Sequence, residues 1–537
     1  LRLFRPVPAQ LSRPLSLIAI VAWIAQMGLL VHRTFVAAPP VALAADLERY
    51  GGSAQWKGVY YRGEKIGFSV SQTLPTEDGY EMQEDGRLQI ALMGAPMAAR
   101  IRTVARMDKA FSLRSFSFSL DPGTGPTEIA GTLDGTRLRL DVKTPSGTRS
   151  ETRDLPEPPS LPLNLPRRLA AAGLEAGTKL TLSVFDPATL RNAPMTVEVE
   201  AREVVRVAGR PVPAFRVRTT LVGLTSTSWV TDLGDVVKEE SPMGLVVVKE
   251  TRERATALAV TEEARVDMIR AAAVVPDPPR RIDDPSTVAL LRVRLEGVDL
   301  LDADVQGAGQ TVSGQVLEVR DLHTLEPGPP DPEAERHRAP EPLIESDAPE
   351  IAAEARTAVA GLSDPRERAE RLVRHVNALL EKKPTVSLPS ALEVLRTRVG
   401  DCNEHTALYV ALARALGLPA RVAVGLVHLQ GAFYYHAWPE VYIESPPRRG
   451  LWLPVDPTLN QFPADATHLR LARGGLDRQA SIVPAIGRLK MTILDLRLRP
   501  GSTPVLVGRA PQDTRPLDVP IPRREGGAGS CWSRPPS

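Results

Sequence analysis

Three stretches of the chain carry side chains that could do chemistry together. The first is Gly400-Asp401-Cys402-Asn403-Glu404-His405-Thr406, which holds one of only 2 cysteines in 537 residues. The second is His436-Ala437-Trp438-Pro439-Glu440-Val441-Tyr442-Ile443, and the third is Trp452-Leu453-Pro454-Val455-Asp456-Pro457-Thr458. A thiol used as a nucleophile needs a base to take its proton, and the base needs a third group to fix its tautomer and hold its ring. Cys402, His436 and Asp456, in that order, supply those roles. Cys402 falls at the first turn of a predicted helix, near unpaired backbone N–H groups and the positive end of the helix dipole. That setting favours thiolate over thiol.

The elements that must position these groups follow from spacing. Leu408, Ala411, Leu412, Ala415 and Leu416 recur with a helical period and predict one apolar face. Gly417-Leu418-Pro419 ends that helix. Arg421 to Val427 is β-rich and Gly431 begins a turn. The His436 and Asp456 stretches read as strands joined by a Pro/Arg/Gly loop, able to set imidazole beside carboxylate with the Cys402 helix packed across them. Upstream, Asp364-Pro365-Arg366-Glu367 combines an N-cap aspartate, a first-turn proline and an acidic third position. Leu372, Val373, Val376, Leu379 and Leu380 give that helix its buried stripe, and His375 on it reads as structural. Pro389-Ser390 starts a further helix, Ala391 to Arg398, which delivers the chain to Cys402.

Taken together, the three motifs resemble the bacterial branch of the transglutaminase-like superfamily, over roughly Ile351 to Arg473. The resemblance implies a papain-like α+β core with the nucleophile's helix against an antiparallel sheet. It makes Cys402 the nucleophile, His436 the general base and acid, and Asp456 the orienting carboxylate. It implies acyl transfer on a protein, peptide or carboxamide substrate through a cysteine thioester, with no metal and no organic cofactor. Water would complete a protease or amidase reaction and an amine would complete a crosslink; hydrolysis is the leading expectation. Many animal transglutaminases place a tryptophan upstream of the cysteine, but none lies between Trp229 and Cys402 here. The backbone N–H of Cys402 is therefore the expected oxyanion donor. Asp401, Asn403 and Trp438 are expected around the site, with Glu404 and His405 as a hydrogen-bonding pair beside the nucleophile. No second histidine follows His405 at zinc-motif spacing. Glu440 either binds a substrate amine or neutralises Arg421.

At 537 residues the chain should hold several domains. Its 66 basic and 64 acidic side chains leave a net charge of +2, and aromatics make up 4%, so neither a bulk field nor a stacking surface argues for nucleic acid. Two cysteines exclude a disulfide-rich scaffold or a cysteine zinc cluster. Residues 1–14 carry Arg2, Arg5 and Arg13 ahead of an uncharged apolar run at 15–31, expected to be a transmembrane signal-anchor. The other reading is a cleaved signal peptide ending near Ala42-Leu43-Ala44. Either places the bulk of the chain in the periplasm or otherwise outside the cytoplasmic membrane, with the anchor in the inner membrane. Residues 32–45 form a tether.

Residues 46–275 alternate apolar and polar side chains between turn signals (Ile66, Phe68, Val70; Phe116, Phe118, Leu120; Leu138, Leu140, Val142). They predict an antiparallel sandwich or open barrel of one unit or two, with a Pro-rich break at Leu155 to Pro166 and a short helix at Arg167 to Ala172. A small β segment is expected at 286–320, then a mobile Pro- and acid-rich linker at 321–350 with His337 solvated. The catalytic domain spans 351–507 with closing strands near its end, and 508–537, with Cys531, is a disordered tail. The fold class expected is thus α+β, with antiparallel β domains before a papain-like core. The competing reading is a non-catalytic envelope adaptor or structural protein that binds partners through the β domains.

Overall fold

The computed structural model describes residues 50–92, 95–122, 125–221, 224–241, 244–257, 272–298, 300, 305–383, 390–445, 449–474 and 488–500. The expected membrane segment, its tether and the C-terminal tail lie outside the described residues. Among those described, no helix is long and apolar enough to cross a membrane.

The first eight strands are Gln55–Tyr61, Glu64–Pro75, Gly79–Leu92, Ala95–Asp108, Leu113–Asp121, Thr127–Asp134, Arg137–Thr144 and Gly147–Asp154 (β1–β8). Helix α1 (Leu165–Ala171) follows, then Lys179–Asp186, Arg191–Val207, Arg210–Leu221, Leu224–Val230, Val236–Glu240 and Leu245–Glu250 (β9–β14). All fourteen join one antiparallel sheet ordered β8 to β1, then β14 back to β9. The chain thus meanders outward, returns, and closes on its own start, because β14 pairs with β1 in register from Trp56↔Glu250 to Tyr61↔Leu245. That pairing makes one unit of what the Pro-rich break suggested might be two. The sequence alternation sets the packing: Phe68, Val70, Ile129, Leu138, Leu140 and Val142 are all buried, each worth roughly 1.5–3 kcal/mol of apolar burial. Leu161 from the break is buried with the strands of the first half, while Leu165 and Leu169 of α1 pack on the second.

Two smaller sheets follow. One holds β15 (Val288–Glu296), β16 (Gln310–Ser313) and β17 (Val316–Arg320), with a strand from the far end of the chain, Lys490–Leu498, along β15. The closing strand therefore completes the small β segment rather than the sheet that bears His436. Leu291, Val293 and Leu295 of β15 share one apolar core with the helices that follow, so residues 286–320 are part of the same body.

The stretch 321–350, expected to be mobile, is packed. Ala334, Leu343 and Ile344 are buried. Asp331 accepts a hydrogen bond from Trp452 Nε1 (2.7 Å), Ala339 O accepts one from Arg414 (2.7 Å), and buried Glu345 accepts one from Ser390 (2.7 Å). Enough apolar side chains are spaced among the prolines and acids to anchor it. His337 is half-buried, edge-on to Trp452 at 5.5 Å. Burial, with Arg421 and Arg414 nearby, pushes its imidazole down to about 4.

The helical part opens with α2 (Arg252–Thr256), which packs on β1, and continues with α3 (Pro349–Ala358), α4 (Pro365–Leu379), α5 (Ala391–Thr397) and α6 (Cys402–Ala415). Asp364 caps α4 by accepting from Glu367 N, and Ser390 caps α5 from Glu393 N, as their sequence signals predict. His375 on α4 bonds Glu354 of α3 (2.6 Å). Between α4 and α6 two short strands, β18 (Glu381–Lys382) and β19 (Val399–Gly400), pair in parallel. Helix α6 is buried on every side from Glu404 to Arg414, not along one face, because α3, α4 and α5 flank it and a sheet lies beneath. That sheet is ordered β22 (Arg449–Pro454), β21 (Ala432–Ser445), β20 (Ala420–Leu429), β23 (Leu469–Arg473). The last strand of the chain described above is β24. Gly425 of β20 faces His436 across the ladder. A Cβ there would meet Leu469 O at 2.0 Å, so only glycine lets β23 approach.

Candidate active site

Cys402 is the first residue of α6, and Asp401 is its N-cap. Asp401 Oδ1 accepts from Asn403 N (2.9 Å), Glu404 reaches back to Asp401 N (2.9 Å), and the Asp401 side chain also takes the Glu404 N–H. This capping box involves Asp401, Asn403 and Glu404 but not the N–H of Cys402. Gly400 is required for it: a Cβ there would lie 2.2 Å from Glu404 Cβ. His405 Nδ1 bonds Asp401 O (2.7 Å). Glu404 and His405, expected as a pair, are thus each tied to the Asp401 backbone and hold the turn that presents the thiol.

The backbone N–H of Ala437, the residue after His436, lies close enough to Cys402 to favour its thiolate. Strand β21 therefore brings His436 to the nucleophile's end of α6. His436 Nε2–H donates to Asp456 Oδ2 at 2.8 Å. Asp456 follows β22 directly, and its position is set by that hairpin and by two backbone donors on Oδ1, Thr458 N (2.7 Å) and Leu459 N (3.0 Å). Asn377 of α4 holds the same loop through Pro457 O (2.8 Å) and Thr458 O (3.1 Å). The structure thus brings the three residues singled out by type into one place. With Nε2 donating to a carboxylate, the lone pair of His436 is on Nδ1.

The electrostatics differ from the expected thiolate. Burial pushes the Cys402 thiol well above its ordinary range, Asp401, Glu404 and Asp456 push the same way, and the Ala437 N–H opposes them. The acidic cap that builds the helix start opposes the dipole expected to stabilise the thiolate. Asp456 is fully buried; burial alone would raise its carboxyl, but the charges and hydrogen bonds of His436 and His468 hold it well below the usual range.

His468 is the functional neighbour that sequence reasoning missed. It donates from Nε2 to the same Asp456 Oδ2 (3.1 Å) and from Nδ1 to Asp465 O (3.1 Å). Burial alone would lower it, yet bonds to Asp456 and Asp465 push it up to about 10. The available signal was the run Asp465-Ala466-Thr467-His468 shortly after Asp456. His436, Asp456 and His468 offer ligand atoms within 4.8 Å of one another. Both nitrogens of His468 already point hydrogens at oxygen acceptors, so it offers no lone pair to a cation, and the trio reads as a hydrogen-bond chain.

Trp438 is a buried wall behind the site. Its ring stacks on His436 (6.1 Å, 21°) and meets His468 edge-on (5.1 Å, 82°). It supports both imidazoles and is too buried to meet a substrate. Glu440 is not a substrate ligand. It is wholly buried and accepts from Arg421 (2.8 Å), Arg473 (2.9 Å) and Arg470. Burial would raise its carboxyl, but the three guanidiniums hold it well below the usual range. The neutralising role foreseen with Arg421 is the one observed, extended to three arginines that lock β20, β21 and β23 together.

Residues 352–457 match the model of the Transglutaminase-like superfamily. Among solved structures, a candidate cysteine protease from Cytophaga hutchinsonii is 16% identical over 40% of this chain and 86% of that chain, with a TM-score of 0.26. The periplasmic domain of TgpA from Pseudomonas aeruginosa, bound to ethylmercury, is 20% identical over 34% of this chain and 76% of that chain, with a TM-score of 0.24. A β-barrel-like domain of unknown function from Brucella abortus is 13% identical over 37% of this chain and 97% of that chain, with a TM-score of 0.30. No curated protein matches the chain.

Proposed function

With residues 352–457 forming a transglutaminase-like superfamily domain, we propose that this chain carries out thiol-dependent acyl transfer on peptide or carboxamide substrates, with hydrolysis the principal outcome. The observation that carries the reading is the 2.8 Å bond from His436 Nε2 to Asp456, with the next residue, Ala437, close to Cys402.

His436 Nδ1 takes the proton from Cys402 as sulfur attacks the carbonyl carbon. The resulting oxyanion accepts a hydrogen bond from the Cys402 N–H, the donor that the capping box does not involve. His436 then returns the proton to the departing amine, leaving a thioester and a neutral imidazole. Water, deprotonated by the same imidazole, attacks the thioester carbonyl, the C–S bond breaks to release the acid, and the imidazolium returns its proton to the Cys402 sulfur; an amine in place of water would give a crosslink. With burial and the nearby carboxylates raising the thiol, proton transfer and attack are proposed as one concerted step. The proposed setting is outside the cytoplasmic membrane, with the apolar run at 15–31 as anchor.

The test is mass spectrometry of the chain after incubation with a peptide-derived acyl probe. A covalent adduct on Cys402, absent from Cys402→Ala, supports the reading, and no adduct on the wild-type thiol refutes it.

A further inference from the structure

We propose that His468 is a positioning residue for this reaction: a buried imidazolium that shares Asp456 Oδ2 with His436, so that the carboxylate orients the base without also holding a proton on it. The proposal rests on the acyl-transfer reading above.

The geometry argues it in three steps. First, the acceptors of His468 require two hydrogens. Asp465 O is a carbonyl oxygen and can only accept, so Nδ1 carries a hydrogen. Asp456 Oδ2 belongs to a carboxylate that already takes His436 Nε2–H and two backbone N–H groups through its other oxygen, so Nε2 of His468 carries one too. A histidine protonated on both nitrogens is a cation. Second, the cation is built in. Asp465, which faces it, is itself fixed by Thr467 N (2.8 Å), Thr467 Oγ1 (2.5 Å) and Gln461 Nε2 (2.7 Å), and His468 is buried. Third, a buried carboxylate beside a single imidazole would favour the imidazolium strongly, and a base that is already protonated cannot take the proton of a thiol. A second cation on the same oxygen divides that attraction between the two imidazoles.

Other charged groups around the pair are few. Helix α6 brings Cys402, with Asp401 and Glu404 at its turn, and His405, which Lys382 of β18 and Asp456 both influence. Strand β20 brings His428, within the influence of Asp465. None of these is hydrogen-bonded to Asp456 in the way the two imidazoles are.

The experiment uses the full chain and the rate of acyl-probe adduct formation on Cys402 as a function of pH. His468→Gln keeps a donor for Asp456 but loses the charge; His468→Lys keeps the charge. The acid limb of the rate profile should move up by about one pH unit in His468→Gln and return toward the wild-type position in His468→Lys. An unchanged limb in His468→Gln, with only a lowered melting temperature, overturns the proposal and leaves His468 a structural residue. Should the glutamine variant not fold, nitrogen-15 NMR of the wild-type histidines decides: His468 protonated on both nitrogens at pH 8 while His436 is neutral supports the proposal, and a neutral His468 there overturns it. Failure of the acyl-transfer reading looks different, since the wild-type chain would then form no adduct at any pH.

Discussion

Asp456 accepts hydrogen bonds from His436 at 2.8 Å and from His468 at 3.1 Å on one and the same oxygen. One buried carboxylate is thus the centre of the site's charge balance as well as the proposed orienting group for His436. Its removal has two separable consequences.

Asp456→Asn should lower the rate of adduct formation on Cys402 by about 10^4-fold, because an amide can present the wrong partner to His436 and lock the wrong tautomer. It should also lower the melting temperature, because His468 loses its counter-charge in the interior. Stopped-time mass spectrometry and thermal melts measure the two effects. A wild-type rate in the folded variant would remove Asp456 from the site.

Stability should fall on the alkaline side. His468 is raised in the folded chain, from an ordinary 6.5 to about 10. Its contribution is full below the unfolded value and is lost as pH rises through the folded one. Melting temperature should therefore decline between about pH 7 and pH 10, and His468→Gln should flatten that decline. Asp456, Asp465 and Glu440 are all held low, so their contributions are present above the ordinary carboxylate range and are lost only as pH falls well into acid. An alkaline profile identical in wild type and His468→Gln would contradict the assignment.

Glu440→Gln leaves Arg421, Arg470 and Arg473 without their shared carboxylate. It should destabilise the fold by about 3–5 kcal/mol, the cost of an uncompensated buried charge. Urea denaturation reads that loss. Were Glu440 a substrate ligand, the variant would instead keep its stability and lose apparent affinity for the probe.

Iodoacetamide should alkylate Cys402 slowly at pH 7 and faster as pH rises past 9, since burial and three nearby carboxylates push the thiol up. Site-resolved mass spectrometry with Cys531 as the in-chain reference gives the profile. A rate that stays flat down to pH 6 would show a stored thiolate–imidazolium pair and would replace the concerted proton transfer proposed here.

Much of this was legible in one dimension. The β alternation at Phe68, Val70, Leu138 and Leu140 predicted which side chains are buried, because a period of two places them on one face. Asp364 and Ser390 marked helix starts because a cap is a local contact between residues three apart. Cys402, His436 and Asp456 could be singled out because the proposed chemistry demands those types in motifs short enough to recognise. At Cys402 the dipole is visible in sequence, but the burial and carboxylates that oppose it are not. The packing of 321–350 was misread for a related reason: its prolines and acids are local, whereas its partners Trp452, Arg414 and Ser390 are far along the chain.

The sequence by itself determined the elements and the residue types offered for the candidate site, since propensity, capping and motif spacing act over a few residues. Only the tertiary structure decided that Lys490–Leu498 lies along Val288–Glu296, that Glu440 belongs to three arginines, and that His468 shares an oxygen with His436. Those relationships depend on where separate strands come to rest beside one another, and charge in a buried site is set by all its neighbours at once.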